Sequence, residues 1–329
     1  MRRAQIISSG SYAPDNIITN KYFDESLGIN VSEWLEEVVK IKERRWVSDD
    51  QSTSDLCVEA AKKCLNRIKM SPLDIDLIIV ATDTPDFISP STASVVQDKI
   101  GADNAGTFDV NTACAGFVTA LDMGSKYIAA DKSYKNILVF GAYAMSKYLN
   151  KKDKKTVTLF ADGAGCVLLR AIDSEDKGFL ASELKSMGKY NSYMGIYGGG
   201  TAHPTNAKTV QNNDHKLKFI HKFPSELNPE VWSGMTRKIN ADIGKESNDV
   251  DMYFVTQINI NSIWETMDLL NVPREKAHTI MHHYGYTGSA CIPMAFDDAI
   301  DKGLVGEGSL VYFIGSGGGL AFASAAFKL

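Results

Sequence analysis

The fold class this sequence predicts is α/β, built from two similar halves, and three observations lead there. Strand-length apolar runs alternate with segments of helical period through the first half of the chain. The order then repeats: DIDLIIVAT at 74–82 resembles DVDMYFVTQ at 249–257, and NILVFGA at 136–142 matches SLVYFIG at 309–315. Between these pairs, the strand and helix around Cys114 correspond to His278–Ile300. All three pairs share an offset a little over half the chain, which argues for duplication. Finally, 329 residues with 44% apolar and 23% charged side chains suit a globular chain of about two domains.

Taken in order, MRRAQIISSGSY reads as a first strand entering the core; its apolar stretch is too short for a secretory signal. Ser52-Thr53-Ser54-Asp55 has the pattern of a capping box. Leu56, Ala60, Ala61, Cys64, Leu65 and Ile68 then recur at helical spacing. The run at 74–82 is a strand, Ala93 to Ile100 a helix, and a strand leads into Asp109-Val110. A helix from about Ala115 to Ala130 and a strand at Ile137–Gly141 follow. Strands this uniformly apolar predict a mostly parallel sheet covered on both faces. The halves divide as residues 1–175, holding the candidate nucleophile, and 176–329. Lys189–Pro224, rich in Gly, Asn and Tyr, is long for a plain connection and reads as a lid or binding element.

Composition excludes several classes. A net charge of −5 argues against bulk nucleic-acid binding, and no apolar run reaches membrane-spanning length. The five cysteines are odd in number and contain no CxxC pair, so no metal site is expected. A cytoplasmic protein with reduced thiols follows. Cys57, Cys64, Cys166 and Cys291 lie in apolar or small-residue surroundings and read as buried small hydrophobes. Neither YGGGT at 197–201 nor ADGAG at 161–165 has the strand–GxGxxG–helix context of a dinucleotide site, so no such cofactor is expected.

Cys114 is different. In DVNTACAGF it falls between a buried strand and the first turn of a helix with no side-chain cap. Free N–H groups at such a terminus are expected to lower a thiol's pKa. The small flanks Ala113, Ala115 and Gly116 leave room for a substrate, although a structural cysteine filling the corner is the commoner use. The C-terminal FIGSGGGLAFASAAF adds glycines between two apolar strands. An N–H from Gly317 or Gly318, paired with that of Cys114, would form an oxyanion hole for a thioester carbonyl.

GSYAPDNIITN, SEWLEEVVKIKERRWVS, TSDLCVEAAKKCL, DVNTACAGF, FADGAG, YTGSACIPMAFDDAI and GSGGGLAFASA together resemble blocks of the 3-oxoacyl-(acyl-carrier-protein) synthase III family of the thiolase superfamily. The resemblance runs nearly end to end. It implies a thiolase-like five-layered α/β/α/β/α fold of two similar halves, a homodimer, and Cys114 as acyl-accepting nucleophile. It implies no cofactor: acyl-coenzyme A or acyl-carrier-protein thioesters, a malonyl thioester and acyl carrier protein are its substrates and partners. That family completes its site with a histidine before Gln-x-Asn and an asparagine after His-Gly. Here Thr256 precedes Gln257 and Asn259, and Tyr286 stands at the asparagine position. Both are poor bases but can donate to an enolate oxygen. Acyl transfer without decarboxylation, or a degenerate partner subunit, are therefore the alternatives to condensation. His283 is the substitute base to consider, as one of two adjacent histidines on a strand.

The resemblance also places Trp34 on the adenine of coenzyme A, with Val38 replacing an arginine. Lys154, in the basic run SKYLNKKDKK, takes a phosphate-contacting position. Ser89, in DFISPSTAS, stands where a bulky aromatic is common and implies a roomier acyl pocket.

Overall fold

A computed structural model describes residues 1–329. Two sheets organise it. The first contains β1 (Arg2–Tyr12), β2 (Leu77–Ala81), β3 (Gly106–Val110), β4 (Asn136–Ala144) and β5 (Asp162–Asp173), in the order β1-β5-β4-β2-β3. The second contains β6 (Gly178–Ser186), β7 (Met252–Val255), β8 (Leu310–Gly317) and β9 (Ala321–Lys328), in the order β7-β8-β9-β6. The chain passes from one sheet to the other between Asp173 and Gly178.

Six helices complete the layers: α1 (Thr53–Arg67), α2 (Thr92–Ile100), α3 (Gly116–Ala130), α4 (Leu227–Ile243), α5 (Ile260–Leu270) and α6 (Cys291–Asp301). Helices α1 and α2 cover the outer face of the first sheet. Helix α4 covers the second sheet and packs against α5. Helix α3 touches both sheets, and α6 lies with it between them. The result is the five-layered α/β/α/β/α arrangement. Its middle is knit by Phe117 of α3 and Phe296 of α6, both packed on Phe313 of β8.

The duplication is visible strand by strand. Read from β1, the first sheet runs β1-β5-β4-β2; read from β6, the second runs β6-β9-β8-β7. Relative directions agree at every step: antiparallel, antiparallel, parallel. Only β3 has no full counterpart, a single bridge between Tyr253 and Ala277 standing in its place.

The expectation of a mostly parallel sheet needs correction, because both sheets are mixed. In the first, β2 pairs parallel with β3 and β4, while β5 runs antiparallel to β4 and β1. Continuous apolar strands report burial on both faces, which helices provide here whatever the strand direction. The glycine turn after Gly317 makes β8 and β9 antiparallel neighbours.

Local predictions hold at α1, where the Asp55 carboxylate reaches back to the Ser52 N–H at 2.8 Å. They fail at His282-His283. Met281–Tyr284 is one helical turn rather than a strand, and the two rings lie 4.2 Å apart. His283 is exposed to solvent while the Cys114 thiol is buried, so it is poorly placed as a substitute base. No helix is long and apolar enough to cross a membrane.

Candidate active site

Strands β2, β3 and β4 are parallel and in register, Ala81 pairing with both Val110 and Gly141. Their carboxyl ends therefore open onto one edge, where ligands bind in α/β sheets. Cys114 sits there, in a tight turn from β3 into α3. The Ala115 N–H donates to Thr112 O at 3.2 Å, and the Gly116 N–H to Ala113 O at 2.9 Å. Ala113 is left-handed, with φ of 47°, a conformation that costs an L-residue about 1–2 kcal/mol. Asn111 holds it, its Oδ1 accepting from the Ala113 N–H at 3.1 Å. Helix α3 begins with no side-chain cap, and Gly116 lets its first turn rest on Ala81. The Cys114 main-chain N–H donates to no other residue's main chain or side chain.

The second half closes over this turn. A Cβ on Gly317 would fall 2.5 Å from both the Cys114 N and the Thr112 O. Only glycine permits that backbone-to-backbone approach. Gly318 follows, with Met194 of the 189–224 segment above it; a Cβ there would lie 3.4 Å from the Met194 carbonyl oxygen. That segment carries its own ribbon, Met194–Gly195 paired with Lys218–Phe219, and a cluster of Tyr190, Tyr193 and Phe223.

Tyr286 reaches the thiol from the second half. Its main chain is clamped to the first half: its N–H donates to Leu159 O and its carbonyl accepts from the Ala161 N–H, both at 2.9 Å. Its ring packs 5.3 Å from that of Phe160, which lies 6.3 Å from Tyr143. Tyr143 is fixed in turn by Gly288, whose hydrogen faces the ring. All three rings are buried.

The electrostatics correct the sequence-based expectation of a lowered thiol pKa. Burial pushes the Cys114 thiol well up, and the Asp83 carboxylate adds to the rise. The Tyr286 hydroxyl and the cysteine's own amide oppose this. A shielded thiol loses more hydration than the terminus of α3 returns. Tyr286 is likewise pushed up, first by burial and then by Cys114, so both groups are neutral at physiological pH.

Thr256 is fully buried, and its hydroxyl is already engaged: Oγ1 accepts from the Ser316 N–H at 2.9 Å and donates to Ser316 O at 3.4 Å. It steadies the strand leading to the glycine turn. Gln257 is committed as well, Nε2 donating to Cys291 O and Oε1 accepting from the Ile280 and Met281 N–H groups. Asn259 caps α5 through its Oδ1 and is exposed. Trp34 and Val38 are roughly half exposed, and Lys154 is exposed at the start of a short helical turn. Ser89 is exposed in the loop after β2, beside the exposed Phe87 and Ile88.

The remaining four cysteines are free and buried, Cys291 among them at the start of α6. Sequence reading missed Asp83, Tyr143 and Phe160. Tyr143 could have been found from the register of its strand, β4, whereas Phe160 lies just before β5 and meets Tyr286 through a single bridge. Asp83, in ATDTPDF, looks like an ordinary turn residue.

Comparison with known proteins agrees with this geometry. The family described as 3-Oxoacyl-[acyl-carrier-protein (ACP)] synthase III matches residues 108–188, and its C-terminal counterpart matches 241–329. The beta-ketoacyl-[acyl-carrier-protein] synthase III of Natranaerobius thermophilus is 36% identical over 330 residues, covering all of both chains. That of Clostridium perfringens is 39% identical over 332 residues, again covering both in full. The crystal structure of 3-oxoacyl-[acyl-carrier-protein] synthase III from Aquifex aeolicus superposes with a TM-score of 0.90 at 29% identity, covering 99% of this chain and 100% of that one. With a cysteine turned into a helix terminus, a glycine turn against its amide and this end-to-end similarity, the chain belongs to the 3-oxoacyl-[acyl-carrier-protein] synthase III family of condensing acyltransferases.

Proposed function

We propose that Cys114 accepts an acyl group from an acyl thioester and passes it to a malonyl thioester with loss of carbon dioxide. The observation that carries this is the main-chain contact between Gly317 and the unbonded Cys114 amide. An oxygen developing negative charge above the thiol would meet fixed donors there, and one such donor contributes about 3–4 kcal/mol. The thioester brings its own activation, so the reaction requires no cofactor.

The donors are acyl-coenzyme A or acyl-carrier protein. Exposed Trp34 offers a face for an adenine. Lys147, Lys151, Lys152 and Lys216 line a groove of about 900 Å³, and with Lys154 they present positive charge to an acidic carrier protein or its phosphopantetheine phosphate. A homodimer is supported by Phe87 and Ile88, 56% and 89% exposed on one loop. Five free thiols favour the cytoplasm.

One observation favours acyl transfer without decarboxylation as a second reading. The enolate formed from malonate needs a donor, and the Thr256 hydroxyl is engaged by Ser316. Tyr286 alone would have to serve. Intact-mass measurement after incubation with acyl-coenzyme A or acyl-carrier protein tests the first step: an adduct confined to Cys114 is expected. Addition of malonyl-carrier protein should then release carbon dioxide. An adduct without that release selects the second reading, and no adduct from any donor means a degenerate partner subunit.

A further inference from the structure

The buried thiol leaves a chemical problem. Cys114 is neutral, and the phenol beside it is neutral too. Thr256 is committed elsewhere and His283 is exposed, so neither takes the proton when the sulfur attacks.

Asp83 lies two residues beyond the end of β2, at the same sheet edge as Cys114 beyond β3 and Tyr143 near the end of β4. Its loop is pinned. The Thr82 N–H donates to Val110 O at 3.1 Å, the Thr84 hydroxyl oxygen accepts from the Ala144 N–H at 2.9 Å, and Thr84 O accepts from the Thr53 hydroxyl. Held this way, the carboxylate acts electrostatically on Cys114, Tyr143 and Tyr148. Its Oδ1 is shielded from solvent and has no hydrogen-bond partner, although the residue as a whole keeps some solvent access. A buried carboxylate oxygen left unpaired is costly and points to a use.

We propose that Asp83 is the proton acceptor for Cys114. As the sulfur bonds to the thioester carbonyl carbon, the thiol proton passes to the Asp83 carboxylate across one water molecule. When the carbon–sulfur bond to the leaving pantetheine thiolate breaks, Asp83 returns that proton to it. One C–S bond forms, one breaks, and no redox partner is needed.

Burial pushes the Asp83 carboxyl up to about 7, matched to a base working near neutrality. The titratable groups around it are the Cys114 thiol, the phenols of Tyr143 and Tyr148, and, beyond the thiol, Tyr286 and Cys291. On neighbouring segments Asp86 is bound by Ser54, Asp109 by the Thr92 and Ala93 N–H groups, and Lys99 pairs with Asp55. No cation acts on Asp83 itself.

The inference rests on Cys114 as acyl acceptor, so two probes are used. In single-turnover acylation by acyl-coenzyme A, Asp83→Asn should slow the reaction about 100-fold or more and remove a rate limb that rises through pH 7. Alkylation of the same thiol by iodoacetamide should show that limb in the wild type and only a rise above pH 9 in the variant. Acylation within threefold of wild type, faster acylation, or a retained limb would overturn the role of Asp83. If no donor acylates the wild type while alkylation still depends on Asp83, the proposed function fails, the return of the proton to a pantetheine thiolate fails with it, and only the proton transfer from Cys114 to Asp83 stands. Should the variant not fold, the wild-type alkylation profile decides: no limb near pH 7 refutes the inference.

Discussion

Two residues beyond the end of β2 stands Asp83; two beyond the end of β7 stands Gln257. The frames around them are alike, with the same strand order and directions. Gln257 is satisfied by three hydrogen bonds, whereas an oxygen of Asp83 has none. The helices that follow differ in the same way. Helix α3 is entered through a strained turn that holds the Cys114 thiol, itself buried and with its pKa pushed up, against the glycine turn. Helix α6 starts with Cys291, whose thiol is pushed to about 12 by burial. One copy of the scaffold leaves a polar oxygen unpaired at this edge, and the other satisfies its polar group. Apart from the extra strand β3 and the 189–224 segment, what distinguishes them lies in the exit turns.

The comparison can be broken most directly at the two thiols. Cys114→Ala should lower acyl-adduct formation at least ~10⁴-fold, while Cys291→Ala keeps it and loses about 1 kcal/mol of stability; intact-mass kinetics and urea unfolding read the two. Equal losses would mean that the halves share the nucleophilic role. Next in size is Gly317→Ala, whose methyl would press on the Cys114 amide. A drop in acylation of about 10²–10³-fold is expected in single-turnover assays. Tyr286→Phe removes the hydroxyl that favours the thiolate and should slow acylation roughly tenfold. Thr256→Val leaves the Ser316 N–H unpaired; chemical denaturation should register about 1–2 kcal/mol.

Stability against pH sharpens the contrast further. The folded-state pKa of Asp83 is raised, so the folded chain holds that proton more tightly than the unfolded one. Its contribution is fully present below about pH 4, fades as pH rises toward 7, and stays lost above. Asp83→Asn should therefore raise the melting temperature at pH 8 and leave it nearly unchanged at pH 4. No such gain at pH 8 would mean that the carboxylate is not strained in the fold.

Much of this architecture is legible in the sequence because periodicity and repetition are local. The paired segments 74–82 and 249–257 announce duplication, and the cap at Ser52 marks α1. Strand direction is hidden, since two-sided burial produces the same apolar run either way. The position of Cys114 can be read, but its protonation cannot: hydration loss depends on β8 and Tyr286, contributed from about 170 to 200 residues away in the chain. Thr256 illustrates the same limit. Its residue type permits donation to a ligand, and only the position of Ser316 reveals that the hydroxyl is occupied. Asp83 escapes notice because an acid beside threonine and proline resembles an ordinary surface turn.

The contact between Gly317 and Cys114 has a mechanical consequence. Main chain meets main chain there, so no rotamer can change to widen the gap. The two sheets are in effect welded beside the sulfur, and parting them would break the approach of the glycine turn to the Cys114 amide. The strap formed by residues 189–224 crosses above Gly318 at Met194, on the far side of that contact. A shift of that strap would leave the main-chain contact beneath it intact, because the contact is made by Gly317 and the Cys114 turn alone.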